Sequence, residues 1–361
     1  MAQHRYGAFL TPVAALGESE ADAVKEFFTS CDVAYEKGYD SVWLTEHHFS
    51  SYHPVPDPLV MLSHVAARCP GLGLGTGVLV TPWHHPLRLA GQIAALSNIT
   101  DAAIHIGMGR GNAPLEYEAF GVDMNSAKEK YAECWDILRL AMRGEPFTYK
   151  GEHLSVGREV AIHPKPRSNN VTFYGAVGQP SSAARIGELG LCLLANANAQ
   201  MDVRKAIVDR WAAAAEMEVD AANMPRAVAP FTIIADTDEK ALDLAMRYFG
   251  EQVKAQAAHY VLDKERHKNI RGYEYMSDEK FLLGLRPSEE VVRGAISTNL
   301  VGSPATVARR VRDMLDAGFN YMLVNVGIPN CPHELRREWL GRFADEVLPL
   351  MEDEAVPAMS V

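Results

Sequence analysis

The 361-residue chain reads as an α/β protein folded as a (β/α)8 TIM barrel, and three observations predict this. Short apolar runs alternate with amphipathic stretches along most of the chain. Eight of the runs are strand-like, which is the strand number of such a barrel. They are apolar almost throughout, as befits parallel strands covered on both faces. An open doubly wound sheet is the competing arrangement. Hydrophobic residues at 48% and charged residues at 22% are typical of a globular chain with a large core. The expectation is one domain spanning 1–361, with insertions at about 144–170 and 257–302.

In order, the strand-like runs are YGAFL (6–10), SVWLT (41–45), LGLGTGVLV (72–80), AIHIGMG (103–109), VTFYGAV (171–177), LCLLAN (191–196), VAPFTIIA (228–235) and YMLVNV (321–326). Helices are expected at 20–37, 58–68, 86–97, 126–143, 181–189, 202–218, 238–256, 304–317 and 333–349. Ser303-Pro304 opens one with a capping side chain and a first-position proline, and Gly38, Gly190 and Gly318 close helices just before the next strand. The Pro- and Gly-rich stretch 144–170 predicts a hairpin and loop. The long mixed stretch 257–302, with the charged run DKERHK at 263–268, predicts a lid.

A formal net charge of -11 argues against a nucleic-acid binder, which needs clustered Lys and Arg to displace counterions. No apolar run reaches the roughly 18–20 residues of a membrane span, and the N-terminus shows no signal-peptide pattern. A cytoplasmic protein with no membrane or nucleic-acid partner is expected. Cys31, Cys69, Cys134, Cys192 and Cys331 are odd in number and form no CxxC pair, so reduced, mostly buried thiols are expected.

The reactive rim of a parallel barrel is the C-terminal end of its strands. Glu46, His47, His48 and Phe49 follow the second run, and Thr81, Pro82, Trp83, His84 and His85 follow the third. Gly109, Arg110, Gly111 and Asn112 follow the fourth, and Gly178, Gln179, Ser181 and Ser182 the fifth. These types suit a planar, anionic ligand. GQPSS presents backbone N–H groups at a helix start, where a phosphate is favoured, and Arg110 offers a guanidinium fork. Taken singly, each also reads as ordinary capping or as a loop arginine. No GxxxxGK[ST] motif is present, and the glycines of GLGLGTG lie within a strand, where they let something flat approach the backbone.

His47 and His48 alternate sides on their strand and cannot readily share one ion. His53, His84 or Glu46 would have to complete a metal site with one of them. A general acid/base role suits the inward-facing imidazole better, and the outward one reads as rim filler. No metal is expected.

Together, GYDSVWLTEHHF, LGLGTGVLVTPWHHPLR, IGMGRG followed by FGVDM, ARIGELGL and NLVGSP, in this order and spacing over nearly the whole chain, resemble the bacterial luciferase-like flavin monooxygenases. The resemblance implies a (β/α)8 barrel holding reduced FMN at its mouth, forming a flavin 4a-hydroperoxide with oxygen and inserting one oxygen atom into a small organic substrate. It implies a two-component enzyme, with reduced flavin supplied by a separate NAD(P)H-dependent flavin reductase, and a homodimer. By the same resemblance His47 is the active-site histidine, with Glu46 behind it. Gly77-Val78 matches a non-prolyl cis peptide under the flavin ring. Arg110, Gly178, Gln179 and Ser182 match phosphate-binding positions, with Lys130 or its neighbour Lys128 as the basic residue of the fourth helix. Phe9, Trp83, His84 and Asn112 are taken as pocket wall, and 257–302 as the lid that shields the flavin from water. The chain departs from the luciferase α chain at Gly109, where that protein has a cysteine, and NITDAA (98–103) replaces the family's usual Gly-Arg. The alternatives on the same fold are a deazaflavin-dependent oxidoreductase transferring hydride and a non-catalytic flavin-binding subunit. Light emission is not implied.

Overall fold

Local chemistry sets most element boundaries. Asp57 accepts the Val60 N–H ahead of helix Pro58–Arg68, and Ser303 accepts the Thr306 N–H ahead of helix Pro304–Asp316; each helix has proline at its first position. Gly38, Gly190 and Gly318 adopt φ of +73°, +68° and +100°, the left-handed conformation that stops a helix with little steric cost in glycine.

The computed structural model describes residues 4–196, 199–215, 221–260, 267–279, 282 and 288–353. Its strands are β1 Arg5–Phe9, β2 Ser41–Leu44, β3 Gly73–Val80, β4 Ile104–Gly109, β5 Phe147–Lys150, β6 Ser155–Val160, β7 Val171–Val177, β8 Cys192–Ala195, β9 Arg226–Val228, β10 Thr232–Ile234, β11 Leu300–Gly302 and β12 Tyr321–Asn325. Eight of them close into a barrel in the order β1-β12-β9-β8-β7-β4-β3-β2, so the open doubly wound sheet is excluded. The expected hairpin is the antiparallel pair β5–β6.

Two expectations need correction. The run 228–235 is not one barrel strand: β9 is in the barrel, while β10 pairs with β11 in a separate two-stranded sheet. Pro230 lies between them and has no N–H to give to a continuous ladder. The stretch 257–302 is also not wholly a loop, because it contains helix Glu289–Thr298 and β11. Most of DKERHK, with 280–281 and 283–287, lies outside the described residues.

By contact density the chain forms two units. One comprises Met1–Trp43, Tyr174–Val253 and Pro287–Val361, and the other Leu44–Phe173 and Lys254–Arg286. In the first, Gly7 of β1 is paired with Ser41 and Leu323, and a Cβ there would stand 2.6 Å from Ser41 Oγ. That close approach suits a strand interior filled by Trp43, which is fully buried, donates Nε1–H to Ser41 Oγ and meets Tyr174 and Tyr321 edge-on. In the second unit, β3 and β4 form a parallel pair. All five cysteines are buried and free. No helix among the described residues is long and apolar enough to cross a membrane.

Candidate active site

The second unit carries the residues that follow β2, β3 and β4. Beyond β2 the chain does not run on straight: the His47 N–H donates to Val55 O at 3.1 Å, and Phe49 turns the backbone at φ +60°. The two histidines face different carboxylates. Glu46, 1% exposed, accepts from His48 Nε2 and His84 Nε2, both at 2.9 Å, and from the Val80 N–H at 2.7 Å. An ionised carboxylate can only accept, so both imidazoles donate Nε2–H. Burial pushes the Glu46 carboxyl up, but these donors outweigh it and hold the group below its usual range. Burial likewise pulls His84 down, and its bond to Glu46 more than reverses this, leaving its pKa raised.

His47 is paired with Glu116 instead. Its Nδ1 lies 3.3 Å from Glu116 Oε1, and the same oxygen accepts the His48 N–H at 2.7 Å. Glu116 is 1% exposed on the short helix Pro114–Ala119, which opens with proline. His259, at the end of helix Asp238–His259, places Nε2 at 3.6 Å from that oxygen, while its Nδ1 is 2.7 Å from Ser50 Oγ. Tyr52 stacks on His259, and His53 on His47. Burial pushes the Glu116 carboxyl up, but His259, His47 and the His48 N–H prevail and bring it to about 2. Burial pushes His47 down further than Glu116 lifts it. Near neutral pH the pair is therefore an anionic Glu116 and a neutral His47. With Nδ1–H directed at the carboxylate, His47 Nε2 keeps its lone pair and can act as a base.

Beside them the β3–β4 ladder loses register between Thr76 and Leu79. The intervening Gly77–Val78 peptide is cis, and these two residues are half-buried while the rest of β3 is buried. A Cβ on Gly109 would lie 2.6 Å from Val78 Cγ2, so the bare glycine makes room for the valine. Gly111 has φ +69°, and the Arg110 guanidinium carbon lies 5.0 Å from the centre of the Tyr273 ring. Tyr273 donates its hydroxyl to Gly111 O at 2.8 Å, and Tyr117 donates to Arg110 O. The Arg110 loop is thus tied to the 267–279 segment.

The family model described as luciferase-like monooxygenase matches residues 5–321. The chain belongs to this family. Among luciferase-like relatives, the oxygenase component of the flavin-dependent trigonelline monooxygenase of Acinetobacter baylyi is 23% identical over 357 residues, 94% of this chain and 93% of that protein. The first three curated relatives are matched over only 40%, 49% and 39% of their own lengths, so the chain's matches span less than half of each. Two solved structures share the fold. The oxygenating constituent of 3,6-diketocamphane monooxygenase from Pseudomonas putida, in complex with FMN, has a TM-score of 0.74 at 21% identity and covers 97% of this chain and 99% of its own. An F420-dependent secondary alcohol dehydrogenase with an F420-acetone adduct has a TM-score of 0.74 at 16% identity, with the same coverages.

Of the residues the luciferase-like resemblance singles out, the second unit holds Glu46, His47, Gly77, Val78, Trp83, His84, Arg110, Asn112 and Lys130. Trp83 packs on the buried cluster of Tyr117, Met124, Ala127, Tyr273 and Met276. His84 is engaged by Glu46, and Lys130 is half-buried on helix Ala127–Ala141. Phe9, Gly178, Gln179 and Ser182 belong to the first unit. There Gln179 precedes helix Pro180–Glu188 without a side-chain cap bond, and Ser182 Oγ donates to Gln179 O at 2.9 Å. Sequence reasoning missed Glu116 and His259. Glu116 was within reach of it, as an acid four residues past the Asn112 rim position; His259 sits in the stretch read as lid and carries no local signal.

Proposed function

We propose that the chain is the oxygenase component of a two-component monooxygenase, using reduced FMN and molecular oxygen to insert one oxygen atom into a small organic substrate. The observation that carries this reading is the buried His47–Glu116 pair, which leaves an imidazole base at Nε2. Reduced flavin, when bound, supplies the electrons that activate oxygen: one oxygen atom goes to the substrate and the other leaves as water. The chain supplies the rest. Gly77, which carries no side chain, lets an aromatic ring approach the β3 backbone, and Arg110 suits its phosphate. His47 Nε2 takes or holds the proton that moves at the reacting group. Trp83, His84 and Asn112 are proposed as pocket wall, and Lys130 as a further phosphate contact.

Phe9 is proposed as a substrate contact, and Gly178, Gln179 and Ser182 as phosphate ligands because they stand at an uncapped helix start. A separate NAD(P)H-dependent reductase is the proposed source of reduced flavin, in line with the naming of the trigonelline relative as an oxygenase component. A homodimer is the proposed assembly. Anaerobic titration with reduced FMN and with a reduced deazaflavin, followed by turnover of candidate substrates under 18O2, tests the reading. Preference for the deazaflavin would point to hydride transfer instead, and flavin binding without label in any product to a non-catalytic subunit.

A further inference from the structure

We propose that His47, Glu116 and His259 form a binding site for one divalent transition-metal ion of the zinc type, and that its occupancy switches off the base at His47. One ligand atom from each residue lies within 4.8 Å of the others, and this is the one such trio among the described residues. His47 Nδ1 and His259 Nε2 stand 3.3 and 3.6 Å from Glu116 Oε1. Metal–ligand bonds of about 2.0–2.1 Å in a tetrahedron put neighbouring ligand atoms about 3.4 Å apart, so two of the three edges are already at that length. The same distances are long for hydrogen bonds.

The independent observation is His259. Its side chain is fully buried, and its Nε2 faces Glu116 Oε1 from 3.6 Å, near enough to act on the carboxylate's charge but outside hydrogen-bond range, so a buried polar atom lacks a full bond. A metal ion would satisfy it. The supports that hold ligands in such sites are also present: Ser50 Oγ fixes the far nitrogen of His259, and the His48 N–H fixes the Glu116 carboxylate. Two imidazoles and one carboxylate form a zinc donor set, whereas magnesium and calcium take oxygen ligands. The sequence-based expectation of no metal considered His53, His84 or Glu46 completing a site with either His47 or His48; Glu46 bonds His48 and His84, while His47 is held by Glu116.

The consequence for activity rests on the function proposed above. A metal on Nδ1 places the remaining ring proton on Nε2, so His47 can no longer accept one. The test is calorimetric titration of the purified, chelator-treated full-length protein with Zn2+, with Co2+ as a spectroscopic probe. One ion per chain is expected, with the visible bands of tetrahedral cobalt. His259→Ala and Glu116→Gln should each weaken binding by at least about 100-fold, and Ser50→Ala by about 10-fold. His153→Ala, on the surface, should change nothing. Absence of stoichiometric binding, or binding indifferent to both His259→Ala and Glu116→Gln, overturns the site. The flavin assay is a separate arm. Zn2+ should stop oxygenation and a chelator restore it. Metal binding in a protein inert toward reduced FMN would refute the proposed function and leave the metal site standing, while turnover in a protein that ignores Zn2+ would do the reverse.

Discussion

His47 and Glu116, 69 residues apart in sequence, meet at 3.3 Å between Nδ1 and Oε1, and this contact decides which nitrogen of His47 is free. Burial lowers the His47 pKa and Glu116 partly restores it. Glu116→Gln keeps an oxygen that can accept Nδ1–H but removes the charge, so the His47 pKa should fall further. Because the base is the neutral form, the acidic limb of the kcat/KM profile should move to lower pH. Glu116→Ala also removes the acceptor, and kcat should fall by about 100-fold while reduced flavin still binds. An acidic limb that stays put in Glu116→Gln would show that His47 is not the titrating base.

Arg110 should act on the phosphate alone. A charge-assisted hydrogen bond contributes about 1.5–3 kcal/mol, which is roughly 10- to 150-fold in affinity. Arg110→Ala should weaken FMN binding by that factor and leave riboflavin, which has no phosphate, unaffected. Equal losses for both ligands would mean that the variant disturbs the Tyr273 contact and the loop rather than a phosphate site.

The barrel was legible in the sequence because parallel strands are apolar on both faces and because glycine and proline mark the helix ends. The one strand misread, at 228–235, failed where Pro230 interrupts a continuous apolar run; hydrophobicity does not report a lost N–H. The splitting of His47 from His48 was expected from strand alternation, but β2 ends at Leu44 and the two separate in the bent segment that follows, where the His47 N–H bonds Val55 O. Their partners were not legible. Glu46 is adjacent in sequence to His47 but bonds His48 and His84, whereas Glu116 and His259 reach His47 only through the folded path of the chain.

Gly109 and Val78 should behave as a complementary pair. A Cβ on Gly109 would lie 2.6 Å from Val78 Cγ2, so Gly109→Ala should destabilise the protein by about 1–3 kcal/mol through overpacking. Val78→Ala removes the clashing methyl groups. The double variant should then be more stable than Gly109→Ala alone, with a coupling energy above about 0.5 kcal/mol in denaturant titrations. Strict additivity would show that the backbone, not the valine, limits this position.

Acid should destabilise the protein in two stages. Burial depresses the His47 pKa, so the unfolded chain takes up a proton near 6.5 that the folded chain resists, and stability declines as pH falls below that value. Glu116 is depressed from 4.5 to about 2, so its contribution is complete above pH 4.5 and is lost as pH falls towards 2. Glu46 acts in the same direction. The raised His84 runs the opposite way, contributing below 6.5 and losing that contribution as pH rises through its folded value. The Glu116 part amounts to at most about 3 kcal/mol. It can be isolated by measuring urea unfolding of the wild type and Glu116→Gln from pH 7 to pH 2.5. Above about pH 5 any change in the difference should favour the wild type, because Glu116→Gln lowers the His47 pKa further; below it the difference should shift against the wild type by up to that amount. A difference that stays constant to the lowest pH would mean that Glu116 titrates normally and holds no charge against His47.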